Sequence, residues 1–171
     1  MKLNRPIVAV DAGFRFLGVA VWSNLQEEFV ETHVLSTKRN AKKSVADDNR
    51  LLIEFLAEEL GAIIRRAKSK LVVAELPTGA SRNARAISAM SMAFSVVVLT
   101  CKFLGVRLVV IKPSQVKKIV DPSAGRKKPS KEKVIEFVKK HFGDSLLPKS
   151  AAKAEHVADA MAALKFHLDN A

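Results

Sequence analysis

The chain is poor in cysteine, in acids and in long apolar runs, and each shortage narrows what it does. A single cysteine, Cys101, in 171 residues forbids an intramolecular disulfide. It sits in an apolar run, where it packs as a small hydrophobe. No Cys/His spacing of the structural-zinc kind occurs. The apolar run from Ala93 to Thr100 is too short to span a bilayer. Met1 to Pro6 leads straight into a strand, without a signal-peptide cleavage pattern. The expectation is therefore a reducing, cytoplasmic setting and no membrane partner. No internal repeat, low-complexity tract or linker divides the chain, so residues 1–171 read as one domain. Acids number 17 against 29 Lys and Arg, a formal net charge of +12. That excess calls for a polyanionic partner, nucleic acid before membrane. A hydrophobic fraction of 49% excludes a mostly disordered chain.

The chain is organised around Ile7-Val8-Ala9-Val10-Asp11-Ala12-Gly13. Four apolar residues in a row predict a strand buried on both faces, and a carboxylate closing such a strand is costly unless paired or metal-bound. Gly13 permits a sharp turn, and Leu17 to Trp22 returns as the second arm of a hairpin. An aspartate here would also serve simply to cap the turn. Glu28 to Ser36 suits a third strand. Ser44 caps a helix whose stripe is Leu51, Leu52, Phe55, Leu56, Leu60, Ile63 and Ile64. Leu71-Val72-Val73-Ala74-Glu75 is a second buried-type strand ending on an acid. A helix from about Ala84 to Leu104 is apolar nearly all round, which predicts burial, part of it in a subunit interface. Val106 to Ile111 is the last strand. Short helices start at Pro113 and at Lys131, and a closing helix runs from about Ala151 to Asp169. Three strands, then alternating helices and strands, predict a mixed α/β sheet with helices on both faces.

The closing helix sets Val157, Ala160, Met161, Leu164 and Leu168 on one face, against the core. Glu155, His156 and Asp159 cluster on another side, among alanines. If the strands ending in Asp11 and Glu75 are neighbours, their carboxylates lie about one strand spacing (~4.8 Å) apart at one sheet edge. Carboxylates so close cannot all stay charged without a cation. Oxygen-rich donors suit Mg²⁺ or Mn²⁺. In a basic protein the fitting substrate is a phosphodiester, and two such ions activate water and stabilise the leaving oxygen. The residues alone thus point to a metal-dependent nuclease. Between Lys112 and Lys140 the only acids are Asp121, Glu132 and Glu136, against Lys112, Lys117, Lys118, Arg126, Lys127, Lys128, Lys131, Lys133, Lys139 and Lys140. Of these, Lys112, Lys117, Lys118, Arg126, Lys127, Lys128 and Lys131 are the expected phosphate contacts. Arg82, in the loop after Glu75, and Arg85, at the start of the helix that follows, join them.

These motifs, in this order, resemble those of RuvC-type Holliday junction resolvases across nearly the whole chain. Ile7 to Gly13, with Gly18, resembles the first motif and Val72 to Glu75 the second. Lys112 to Lys118 resembles the segment after the last strand, Gly125 to Lys131 the basic loop, and His156 to Ala160 the closing motif. The resemblance implies an RNase H-like fold and a homodimeric endonuclease that nicks opposed strands of a four-way junction in DNA recombination and repair. It implies two Mg²⁺ ions, replaceable by Mn²⁺, and a nucleoid or viral-replication setting. Carried over, Asp11 would bridge both metals, and Glu75 and Asp159 would hold one or both. His156 stands where many members have Asp and some have His. It would ligate metal or carry a proton, and if it is structural, Glu155 is the substitute. Ala12 replaces the usual proline. The loop after Glu75 has no aromatic residue, which suits a viral or otherwise divergent member better than a standard bacterial one. Two other readings use the same residues: an RNase H-like ribonuclease, which would need 2′-OH recognition, and a non-catalytic nucleic-acid-binding module. The presence of Asp11, Glu75 and Asp159 together argues against the second.

Overall fold

The computed structural model describes residues 5–36, 38–75, 84–123 and 129–171. Three strands open the chain, β1 (Ile7–Asp11), β2 (Leu17–Ser23) and β3 (Glu28–Leu35). Then come α1 (Val45–Arg66), β4 (Leu71–Glu75), α2 (Ala84–Phe103) and β5 (Arg107–Ile111). Three helices close it: α3 (Pro113–Val120), α4 (Lys131–Phe142) and α5 (Ala151–Asn170). The strands form one five-stranded sheet in the order β3-β2-β1-β4-β5. The hairpin strands pair antiparallel, while β4 joins β1 and β5 joins β4 in parallel. This is the expected mixed sheet.

Alternation along the strands assigns its two faces. Val8, Val10, Leu17, Val19, Val72 and Ala74 pack with α1 and α2. Ile7, Ala9, Ala20, Trp22, Leu71 and Val73 pack with α5, together with Val116 of α3 and Val134 and Val138 of α4. Asp11 succeeds Ile7 and Ala9 by the same two-residue step, and Glu75 succeeds Leu71 and Val73. Both acids therefore belong to the α5 face.

The helix starts are specified locally. The Ser44 hydroxyl accepts the Asp47 N–H at 3.1 Å, and Ser130 accepts that of Lys133, each satisfying a first-turn donor. The α1 stripe is as expected: Leu52, Leu56, Leu60, Ile63 and Ile64 are buried.

Helix α2 departs from expectation in two ways. Its window Ala86–Phe103 is long and apolar enough to cross a membrane, with a mean hydropathy of 1.7. The apolar stretch thus extends well past Ala93–Thr100, because the serines that interrupt it do not make it polar. Nor is α2 buried nearly all round, since only 28% of that window is buried. Ala93, Val96, Val97 and Cys101 face the core, while Leu99 and Phe103 are exposed. One sheet face covers only one side of a helix.

Helix α5 packs across β2, β1 and β4 because small residues let it come close. Ala158, Ala160, Ala162 and Ala163 are fully buried, and Gly18 of β2 lies against the helix backbone at His156 and Val157. A Cβ at Gly18 would stand 2.2 Å from the His156 carbonyl oxygen, with backbone rather than a flexible side chain in the way. Gly61 of α1 differs: a Cβ there meets only the Arg65 guanidinium at 3.4 Å. Gly18→Ala is expected to destabilise the protein by about 1–3 kcal/mol or more, through overpacking. Gly61→Ala should stabilise it by up to about 1 kcal/mol, through helix propensity and a restricted unfolded chain. Urea unfolding of the two variants checks the opposite signs.

Candidate active site

The parallel register of β1 and β4 sets Asp11 directly opposite Glu75. On the other side Asp11 pairs with Gly18 of β2. Two carboxylates thus end adjacent strands at one edge of the sheet, on the face that α5 covers. Each residue is half-buried. The first turns of α5 bring His156 to the same place. Its Nδ1 donates to Asp11 Oδ2 at 2.6 Å, with the two side chains only 24% and 20% exposed. Phe16, from the turn after β1, stacks on the imidazole with ring centroids 5.7 Å apart and planes 24° apart. A Cβ on Gly13 would lie 3.0 Å from the imidazole Cε1 and 2.4 Å from the Phe16 carbonyl oxygen. The glycine after Asp11 is therefore needed for close approach, not only for the turn.

The Asp11 carboxylate beside His156 raises the imidazole above its ordinary range, against the opposing effect of burial. Glu155 and Asp159 push the same way. Asp159 is half-buried one turn along α5. Glu155, the expected substitute for His156, is engaged elsewhere: its Oε2 accepts from Lys131 Nζ at 2.7 Å. That contact holds the Lys131 ammonium more firmly charged and places the first residue of α4 at the rim of the acid site.

The expected donors, three carboxylates and one imidazole, would suit a hard divalent cation by their chemistry. As the side chains stand, Asp11 is turned on to His156. Among the described residues, no three His, Cys, Asp or Glu side chains converge closely enough to hold a metal ion.

The expected phosphate contacts divide by place. Ile111 of β5 is the register partner of Glu75, so Lys112 leaves the sheet at the acid edge, with Lys117 and Lys118 on α3 just beyond. Arg126, Lys127, Lys128 and Arg82 lie outside the described residues, and Arg85 falls at the start of α2. A cavity of about 680 Å³, lined by Arg5, Arg65, Lys68 and Lys70 among others, lies at the far end of the sheet, where β1 and β4 begin. The acid site lies at the opposite end of the sheet, where β1 and β4 finish.

Sequence reasoning missed Phe16 and Arg15. Arg15 Nη2 donates to Asp48 Oδ2 at 2.8 Å, across 33 residues of chain, and no local pattern carries such a pairing. The one available signal was their position, two and three residues past Gly13 in a turn already marked as functional.

No protein-family model matches the chain, and no curated protein matches it. Solved structures do. RuvC of Thermus thermophilus in complex with a Holliday junction substrate superposes with a TM-score of 0.71 at 19% identity, covering 96% of this chain and 94% of that one. The fold is the RNase H-like fold of RuvC. The yeast mitochondrial Holliday junction resolvase matches with a TM-score of 0.60 at 10% identity, over 96% of this chain and 80% of its own. The fowlpox virus resolvase, in complex with Holliday junction DNA, gives 0.52 at 13% identity over 96% and 97%. The RuvC-like element order read from the motifs is the order found.

A raised imidazole pKa has a definite sign in stability. The His156–Asp11 pair contributes fully below the ordinary imidazole value of about 6.5, and that contribution is lost as pH rises through the raised folded value. In metal-free protein, an NMR titration should place the His156 midpoint above about 6.5 and move it down in Asp11→Asn. A wild-type midpoint at or below the ordinary value would show that the pair does not form.

Proposed function

We propose that the chain is a structure-selective endonuclease that cuts four-way and related branched DNA by metal-dependent phosphodiester hydrolysis. The observation that carries this reading is the register pair Asp11–Glu75, set at the sheet edge to which α5 brings His156, with Asp159 one turn further along the helix. Support comes from the fold shared with resolvases solved on Holliday junction DNA, and from a net charge of +12, which suits a polyanionic substrate.

Asp11, Glu75, Asp159 and His156 would hold divalent cations, Mg²⁺ with Mn²⁺ as a substitute, two by preference. Bound there, such ions acidify water and offset charge on the phosphate. The chain's own residues do the rest. In the metal-free site His156 holds a proton at Nδ1 against Asp11 Oδ2; with cations on the carboxylates it would serve either as a neutral ligand or as a proton carrier, not as both at once. Phe16 covers one face of the ring and fixes its plane. Gly13 and Gly18 let turn and helix approach the carboxylates without an intervening side chain. Lys112, Lys117, Lys118 and Lys131 draw the phosphate backbone towards the edge where the acids sit. A reducing, intracellular setting accords with Cys101, which is free and buried, its thiol pushed up to about 11 by burial.

The working unit is a homodimer, with α2 at or near the two-fold axis. Its support is the exposed apolar set Ile87, Val98, Leu99 and Phe103 on one helix, a face that a second copy covers by closed two-fold symmetry. Paired nicks on opposed strands need two sites.

Asp11→Asn, Glu75→Gln and Asp159→Asn each keep side-chain size while removing charge. Each is expected to abolish cleavage of labelled junctions in Mg²⁺ while leaving binding intact or tighter, as phosphate repulsion falls. Near wild-type cutting by any one of them removes that residue from the ligand set. The dimer is checked separately: Leu99→Glu with Phe103→Glu should convert a dimer to a monomer in sedimentation. A wild-type chain that sediments as a monomer at micromolar concentration with full junction cleavage would refute it.

A further inference from the structure

One basic stretch has no part in the chemistry at the acid edge. Lys38, Arg39, Lys42 and Lys43 lie between β3 and α1, all exposed, and residues 38–46 contain no acid. The register fixes where they emerge. Val34 is opposite Gly18, and Gly18 is opposite Asp11, so β3 ends at the same sheet edge as the acid site. Two strand spacings separate them, ~10 Å. Lys112, Lys117 and Lys118 emerge beyond β5 on the opposite flank. The acids therefore sit between two groups of cations.

The stretch is also built rather than slack. Asp48, only 6% exposed, accepts the Asn40 N–H on Oδ1 at 3.0 Å and Arg15 Nη2 on Oδ2 at 2.8 Å. The Asn40 N–H and then Arg15 hold its carboxyl below the usual range. Asn40 in turn fixes the backbone of the two lysines beyond it. Its Oδ1 accepts the Lys42 N–H at 3.0 Å, and its carbonyl accepts the Lys43 N–H at 3.1 Å. Arg15 belongs to the turn whose Phe16 stacks on His156. The backbone presenting the cations is thus tied, through Asp48 and Arg15, to the turn that shapes the acid site.

We propose that Lys38, Arg39, Lys42 and Lys43 form a second phosphate-contacting surface, which takes a duplex arm of the DNA substrate on the β3 flank of the acid site. The inference rests on the proposed nuclease function and deepens it. With duplex DNA on both flanks, the strand that crosses between the arms is led over Asp11 and Glu75. That path is open only in a substrate that branches or bends there.

The test is the salt dependence of binding, read by fluorescence anisotropy with a labelled four-way junction, linear duplex DNA and duplex RNA. The quadruple variant Lys38→Ala, Arg39→Ala, Lys42→Ala, Lys43→Ala is compared with wild type after a check that both melt alike. All four positions are exposed, and the variant keeps Asp48, Asn40 and Arg15. Its slope of log affinity against log salt on the junction should be shallower by about 0.9 for each lost phosphate contact, up to about 3.6 for four. An unchanged slope beside a steep wild-type slope overturns this surface and leaves the endonuclease reading standing. A wild-type chain with no salt-dependent DNA binding at all overturns both. A slope that falls on duplex RNA but not on DNA overturns the assignment to a DNA arm.

Discussion

Two acids close two adjacent parallel strands in register, and the rest of the molecule is arranged around the electrostatic consequence. Every other residue of β1 and β4 is apolar and buried, so Asp11 and Glu75 are the only carboxylates these strands carry. Full charges one strand spacing apart repel by about 3.5 kcal/mol at an effective dielectric of ~20. Such an arrangement persists only where a cation or a proton answers it. In this structure part of the answer is the N–H that His156, its pKa raised by Asp11, donates to that carboxylate. For the imidazole to reach the strand end, α5 must lie almost on the sheet. That requirement accounts for Gly18, for the fully buried alanines from Ala158 to Ala163, and for the stacking of Phe16.

Around this acid centre the charge reverses sign. Lys131 at the start of α4 is held by Glu155, Lys112 leaves β5 opposite Glu75, and the anchored stretch after β3 closes the other flank. A phosphate backbone approaching such an edge is attracted from both sides and repelled only at the place where metal-assisted hydrolysis would occur. On the proposed reading, attraction and chemistry fall to different residues of one edge. They are separable by mutation for that reason.

Helix α2 meets a different demand. It packs on the face opposite α5, where Val96, Val97 and Cys101 contribute to the core, and it leaves Leu99 and Phe103 in solvent. Among the described residues no element covers them. The same helix satisfies the composition of a membrane-crossing segment, since a helix apolar on two sides has the same composition whether lipid, core or a second subunit covers it.

Much of this was legible in the linear chain. Continuous apolar runs ending in acid marked β1 and β4, because strands buried on both faces cannot hide polar residues. The Ser44 and Ser130 caps and the α1 stripe came from backbone donors and helical periodicity, and the ordered motifs pointed to the RuvC-like fold. Strand adjacency remained a condition, because nothing local dictates that β4 joins β1 rather than β3. The exposure of α2 was not legible for a related reason: composition counts apolar residues without counting the surfaces available to cover them. The partners of the site residues were beyond reach altogether. Glu155 reads as a spare ligand until the fold brings Lys131 to it, and Arg15 meets Asp48 across 33 residues. Sequence fixes which groups carry charge and how each stretch curls, since those depend on near neighbours. Which charges meet depends on how the sheet and helices pack, and only the folded chain settles that.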